Sequence, residues 1–439
     1  LPIFAFREQD VQFINPKTGE KLCNYFGYSP ISFFAPMRAF AEEADPIQEF
    51  KTLVKELHRN QIAVILDVVY NHTGEGITSE QLFSWRGFDK DAYYLRDPKG
   101  REYNFSGCGN TCHCNHPIMQ QLILDSLHYW TTEMQVDGFR FDLASHFYPT
   151  DRWMEWNGKY RDVVRQFIKG TPGFKSAFAT ALSGSQDLFG SRDSPNCSVN
   201  FVTAHDGFSL WDLVSYSYKH NEENGESNRD GSEHNLSWNC GAEGPTQNKK
   251  IQFLRERQIR NFHLALMLSQ GVPMLVMGDE YAHTRRGNNN PWCQDNSLNW
   301  FQWGHLEDSS FFRFYKGLIW LRRQQPLLHK KRFLTEKDVS WHGEKPFEPE
   351  WEKENHLVAF SLHNSDGSAE LYAAFNAQPQ TLHLLLPPLQ PFERWAVIAD
   401  THAFPPQDFF EEGKRPLIES HSLSLKGYSS LLLQRVVNA

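Results

Sequence analysis

Three features of the sequence predict an α/β fold made of a (β/α)8 TIM barrel and a C-terminal β-sandwich. Over most of the chain, helix-patterned segments alternate with short strands apolar on both faces, the pattern of parallel strands covered by helices. Four of these strands finish in His, Asp, Asn, Arg or Glu, and a barrel builds its active site from the C-terminal ends of several strands. Beyond Pro326 the texture changes to short strands separated by turn formers, which predicts the sandwich. A chain of 439 residues suits a barrel of about 250 residues or more plus a second domain. The expected division is 1–330 for the barrel and 331–439 for the sandwich.

Taken in order, Leu1 to Phe6 reads as the tail of a strand, so a preceding segment is expected. Asn24-Tyr25-Phe26-Gly27-Tyr28-Ser29-Pro30 is a loop rich in turn formers and rings. Asp45-Pro46 supplies a cap and a first-turn proline, and Phe50, Leu53, Val54 and Leu57 recur at helical spacing. That helix feeds an apolar strand from Ile62 to Val69. Asn115 and Pro117 open a second helix, with Ile123, Leu127, Trp130 and Met134 as its stripe, and the strand Val136 to Ala144 follows. Ser198 to Asp206 is a third apolar strand with a polar end. Gly271 to Glu280 is a fourth, after a helix through Phe262, Leu264, Leu266 and Leu268. Later, Leu357 to Leu362 and Leu371 to Phe375 flank Asn364-Ser365-Asp366-Gly367, a hairpin signal. Thr381 to Leu386, Trp395 to Ala399 and Ser429 to Leu433 are further short strands.

Composition narrows the function classes. A formal net charge of -9 with no long basic run argues against a nucleic-acid partner. No apolar run approaches the ~20 residues of a membrane span. Aromatics make up 14% of the chain, with 13 Trp; rings fill cores, and they also stack on sugar faces. Seven Cys at no framework-like spacing read as thiols in a reducing compartment, cytoplasm or plastid stroma. Cys108, Cys112, His113, Cys114 and His116 suggest zinc, but they are crowded rather than set out as two separated pairs, so no metal is expected.

The chemistry centres on Val136-Asp137-Gly138-Phe139-Arg140-Phe141-Asp142-Leu143-Ala144. Side chains alternate along a strand, so Gly138, Arg140 and Asp142 share one face, and Phe139, Phe141 and Leu143 take the other. An arginine beside a strand-end carboxylate favours its charged form, which makes Asp142 a candidate nucleophile. For an isolated Arg-x-Asp a structural ion pair would be the better reading. Other segments change that balance.

Asp67-Val68-Val69-Tyr70-Asn71-His72, Gly138-Phe139-Arg140-Phe141-Asp142 and Phe201-Val202-Thr203-Ala204-His205-Asp206 resemble three of the four signature regions of the α-amylase superfamily of glycoside hydrolases. Asn24-Tyr25-Phe26-Gly27-Tyr28, Gly107-Cys108-Gly109-Asn110-Thr111, Glu155 to Asp162, Lys219-His220-Asn221-Glu222, Asn228-Arg229-Asp230-Gly231 and Gly287-Asn288-Asn289-Asn290 extend the likeness. Over almost its whole length the chain resembles isoamylase-type debranching enzymes of glycogen or starch. The resemblance implies hydrolysis of α-1,6 branch linkages with retention, Asp142 attacking the anomeric carbon beside Arg140. Asp206 would be the third carboxylate, gripping sugar hydroxyls on a distorted ring. His72 and His205 would bind hydroxyls at the same subsite and Tyr28 would stack under the sugar, with Asp67 and Asn71 among the substrate-binding residues. Singly, each His reads as a strand-end hydrogen-bonder and Tyr28 as a core ring; their joint occurrence in family order reverses that.

One part of the family pattern is absent: the region in which a general-acid Glu precedes Pro-Trp. From Asp142 the chain runs through Ser145-His146-Phe147-Tyr148-Pro149-Thr150 into Asp151 and Glu155. A crossover between parallel strands takes at least ~10 to 12 residues including its helix, so Glu155 is not expected to be the acid. Either the natural protein has further residues between these blocks, or it has lost a wall strand. A barrel without that strand would present two open edges, which favours the first.

The alternatives are a non-catalytic α-glucan-binding subunit that lacks the acid, and an α-1,4-acting enzyme of the same superfamily. A branched α-glucan is the expected partner. Carboxylate chemistry requires no cofactor, and no oxygen-ligand loop specific enough to predict the structural Ca²⁺ of some relatives is present.

Overall fold

The computed structural model describes residues 1–8, 13–76, 82–143, 153–353 and 355–437. The chain forms two compact units: Leu1–Tyr148 with Glu223–Glu226 and Pro291–Asn296, and the remainder.

In the first unit the helix Pro46–Arg59 starts where a cap and a first-turn proline predict, with the Asp45 carboxylate accepting from Ile47 N and Gln48 N. It leads into β1, Ile65–Val68. A second helix, Pro117–Thr132, is capped by His116 rather than Asn115 and leads into β2, Gly138–Phe141. β1 and β2 pair in parallel, with Asp67 opposite Arg140. This register brings three ionisable side chains to one face, while Leu66, Val68, Phe139 and Phe141 join an aromatic-rich core. Trp130 anchors that core: it stacks on Phe4 at 5.3 Å, meets Phe50 edge-on and donates its indole N–H to the Phe33 carbonyl. Leu143 departs from the expected alternation. The ladder ends where Asp142 N donates to Val68 O, and Leu143 turns to φ 45° and is 49% exposed. The junction from Ser145 to Asp151 lies outside the described residues.

The second unit holds a parallel sheet in the order β3-β4-β5, formed by Glu155–Trp156, Ser198–Asn200 and Val272–Pro273. The expected strand to Asp206 stops at Asn200, and beyond it the Val202 carbonyl is taken by a side chain, Arg165 donating to it twice. β5 stops at Pro273, and the left-handed Gly278 (φ 106°) turns the chain into the single turn Asp279–Tyr281. Between β4 and β5 runs the helix Lys249–Leu268, buried without interruption from Gln258 on, so that its C-terminal half is covered all round rather than along one stripe.

The C-terminal strands are β6 (Val339–His342), β7 (Leu357–His363), β8 (Ala369–Asn376), β9 (Leu382–Leu385), β10 (Glu393–Asp400), β11 (Leu417–Ile418), β12 (Ser422–Leu425) and β13 (Ser429–Val437). Six of them form an antiparallel sheet in the order β11-β10-β13-β8-β7-β6, and β12-β9 form a second. The predicted hairpin joins β7 to β8. Alternate residues explain why β7 is buried from Leu357 to Leu362. Leu357 and Ala359 pack with Leu382, Leu384 and Leu425 of the small sheet, and Val358 and Phe360 join the helical core around Phe167 and Phe178. The parallel strands among the described residues are hydrogen-bonded as two sheets, β1-β2 and β3-β4-β5, not as one eight-stranded ring.

Candidate active site

In the first unit, six of the residues singled out from the sequence converge at the C-terminal end of β1 and β2. Arg140 Nη1 lies 2.7 Å from Asp67 Oδ1, 3.1 Å from Asp142 Oδ1 and 3.1 Å from the Tyr28 hydroxyl. Tyr28 donates to Asp67 Oδ2 at 2.7 Å, and its ring lies under the Arg140 guanidinium. One cation thus serves two carboxylates and a phenol. Burial opposes the Arg140 charge, but Asp67, with Tyr28 and Asp142, outweighs it and raises its pKa. Burial, reinforced by Asp67, drives the Tyr28 pKa far upward, so its phenol stays a donor. Asn71 Nδ2 donates to the Asp142 carbonyl at 2.9 Å, fixing the residue where the strand ends. Asp142 nevertheless keeps 16% side-chain exposure.

His72 sits behind this group. It is 2% exposed, burial lowers its pKa, and Nε2 donates to the Tyr28 carbonyl at 2.6 Å. It therefore orients the loop that carries Tyr28.

The second unit presents His205 and Asp206 on the loop after β4. Asp206 is the more open, with 68% side-chain exposure, and His205 Nε2 stands 3.9 Å from its Oδ1. The Trp156 ring, at the end of β3, meets His205 edge-on at 6.0 Å. Glu155 begins β3 and pairs with Arg192.

The loop bearing His205 and Asp206 is clamped by residues that sequence reasoning left without a role. Asp279, fully buried, accepts from the Thr203 hydroxyl on one side of the loop and from Leu210 N, at 2.9 Å, on the other. Arg285 Nη1 donates to the His205 carbonyl at 2.9 Å, Gly207 N to the Asn289 carbonyl at 2.8 Å and Ser209 Oγ to the His283 carbonyl at 2.7 Å. A second buried carboxylate, Asp212, holds the opposing segment by accepting from Thr284 Oγ1 and Arg285 N. Burial raises both carboxyl pKa values, that of Asp279 to about 6. Arg165, also buried, fixes the Val202 carbonyl at the root of the loop; burial, then Arg161, lowers its pKa to about 9. The one available signal was an ionisable residue inside an apolar pattern, Arg165 among Val163, Val164, Phe167 and Ile168 or Asp279 after Val276 and Met277.

Among the described residues no three His, Cys, Asp or Glu side chains are grouped to hold a metal ion, and no helix is long and apolar enough to cross a membrane.

Residues 340–437 match the family model for the C-terminal region of isoamylases 1-3. The chain is 43% identical to isoamylase 3, chloroplastic, of Oryza sativa subsp. japonica, over 99% of this chain and 62% of that protein. It is 41% identical to isoamylase 1, chloroplastic, of Arabidopsis thaliana, over 99% of this chain and 66% of that protein. The chain thus spans less than two thirds of the relatives it matches. Its fold is similar to that of a type I pullulanase from Bacillus subtilis str. 168 complexed with maltose, with TM-score 0.74 at 22% identity over 99% of this chain and 62% of that one.

Proposed function

We propose that the chain, which is similar over 99% of its length to isoamylases, is a debranching enzyme of the α-amylase superfamily that hydrolyses α-1,6 branch linkages of glycogen- or amylopectin-type α-glucans with retention. The observation that carries this reading is the strand-end cluster in which Arg140 bridges Asp67, Tyr28 and Asp142. A structural ion pair needs one carboxylate, and it needs no partly exposed second one pinned at a strand end by Asn71.

The Asp142 carboxylate attacks the anomeric carbon while the branch C–O bond breaks and the leaving oxygen takes a proton from a general acid. Water then attacks the glycosyl-enzyme, gives its proton to the same group, and releases Asp142. Tyr28 supplies a ring for the reacting sugar. By the family resemblance Asp206 and His205 are assigned to sugar hydroxyls, an interaction that counts most when the ring is distorted in the transition state. Asp67 and Asn71 hold the nucleophile's surroundings, and His72 acts at the same subsite through Tyr28.

The acid is assigned to residues that the natural protein carries between Asp142 and Glu155. Support comes from the alignment with the rice relative, which runs over 491 positions, longer than the 439 residues of this chain, so that the relative has residues with no counterpart here. The same added residues would complete the ring of strands in a barrel domain, 1–330, ahead of the sandwich, 331–439. Plastid stroma is the expected compartment if the source is a plant, after the chloroplastic relatives.

The test is release of linear chains from amylopectin. Release by the natural protein, with the residues between Asp142 and Glu155 in place, and its loss in Asp142→Asn support the enzyme. Amylopectin binding without release would replace this reading with that of a glucan-binding chain lacking its acid.

A further inference from the structure

The second unit carries a groove of about 600 Å³ remote in sequence from the strand ends already described. One wall is the helix Lys175–Leu182 and its C-terminal extension. Ser176, Ala179, Thr180 and Ser183 fall at i, i+3, i+4 and i+7, and so share one face. These small residues leave a trough. The lining also includes a pair of indoles, Trp341 on β6 and Trp351 on the following loop, with ring centroids 5.6 Å apart and planes inclined at 66°.

Both rings are held in place without ligand. Trp341 packs on Phe360, its cross-strand neighbour on β7, at 5.5 Å. Lys175 Nζ lies 5.9 Å from the Trp351 centroid and is itself fixed by 2.8 Å bonds to Glu350 O and Asn355 Oδ1. Trp351 remains 37% exposed. A pinned, half-exposed indole does little for the core, and its apolar surface would be better covered. A rigid ring that needs no ordering is what a sugar platform requires.

We propose that this groove is a second α-glucan-binding site, formed by residues other than those of the catalytic cluster, that holds a chain of the same branched polymer. The inclination of the two indoles selects the ligand class. Rings inclined at 66° in edge-to-face contact offer no coplanar pair of platforms, whereas a curled α-1,4-linked glucan can seat a single glucose ring on the exposed Trp351 indole. A flat β-1,4-linked chain needs such a coplanar pair. Gln186 and Glu336 at the groove's edge offer the donors and acceptors that sugar hydroxyls require. The proposal rests on the reading that the chain works on α-glucan.

Affinity electrophoresis of the whole protein through gels containing amylopectin or hydroxyethylcellulose tests it, alongside release of linear chains from a short, soluble branched oligosaccharide. Trp351→Ala should weaken retardation by amylopectin about two- to tenfold, the range of one aromatic stacking contact. Activity on the short substrate should stay at the wild-type level. Thr180→Arg, which fills the trough from an exposed helix position, should do the same, and it serves if Trp351→Ala melts early. Retardation unchanged in both variants overturns the site, as does equal retardation by hydroxyethylcellulose. If chains are never released but retardation still depends on Trp351, the groove stands and the proposed hydrolysis falls. If chains are released and retardation ignores both substitutions, the reverse holds.

Discussion

Asp279→Asn should separate stability from activity. In the folded chain burial pushes the Asp279 carboxyl from 3.8 up to about 6, a rise equivalent to roughly 3 kcal/mol. The folded state therefore holds the proton more tightly than the unfolded one. Stability falls as pH rises from about 4 to about 6, and above that window the whole cost of the buried charge is borne. Asparagine carries no charge, so that cost disappears. Its amide, however, presents an NH2 to one of the two donors, Thr203 Oγ1 or Leu210 N. An unsatisfied buried donor costs about 1–3 kcal/mol, so the net change at pH 7 should lie between about 0 and 2 kcal/mol in favour of the variant. Urea unfolding of both proteins at pH 4, 5 and 7 isolates this group, because all other titrations cancel in the difference. That difference should grow from pH 4 to pH 7 by about 2.4 kcal/mol. Activity should move the other way. The two donors flank His205 and Asp206, and a displacement of about 1 Å can cost on the order of 100-fold in rate, so kcat should fall with KM little changed. A difference flat with pH, or an unaltered kcat, would refute the assignment of Asp279 as the charged clamp of this loop.

Arg140→Lys should lower kcat by at least about 100-fold, because one ammonium cannot reproduce the contacts to Asp67, Tyr28 and Asp142; pre-steady-state kinetics should show the loss in the first, bond-breaking step. Gly231→Ala should destabilise by about 1–3 kcal/mol. Gly231 has φ 73°, and an added Cβ would lie 2.2 Å from Asn289 Oδ1 and 2.6 Å from Asn221 Nδ2, two amides that bond to each other at 2.8 Å in the protein interior. Thermal unfolding should register it as a lower Tm, while an unchanged Tm would mean that the two asparagines yield freely.

Much of the architecture was written locally. Asp45-Pro46 started a helix because cap and proline satisfy its first turn from adjacent residues. Asn364-Ser365-Asp366-Gly367 made a hairpin because the turn carries its own geometry. Gly138, Arg140 and Asp142 shared a face because a strand alternates whatever lies beside it. The length of each strand, by contrast, was settled by partners. Ser198 to Asp206 looked continuous, but its carbonyl at Val202 was taken by Arg165, and a strand lasts only as long as a neighbour's backbone answers it.

The site divides in the same way. The sequence by itself marked the candidate groups, since Arg140 and Asp142 fall at the end of β2 and His205 and Asp206 in the loop that follows β4. Only the tertiary structure decided what holds them. Asp67 meets Arg140 across β1 and β2, and Asp279 reaches Thr203 from 76 residues away. It also set Asp279 and Trp351 apart from the many acids and indoles with identical local sequence signals. The physical reason is that composition and periodicity record only what a side chain is and which way it points, whereas a clamp or a platform exists through its distance to groups that folding alone brings near.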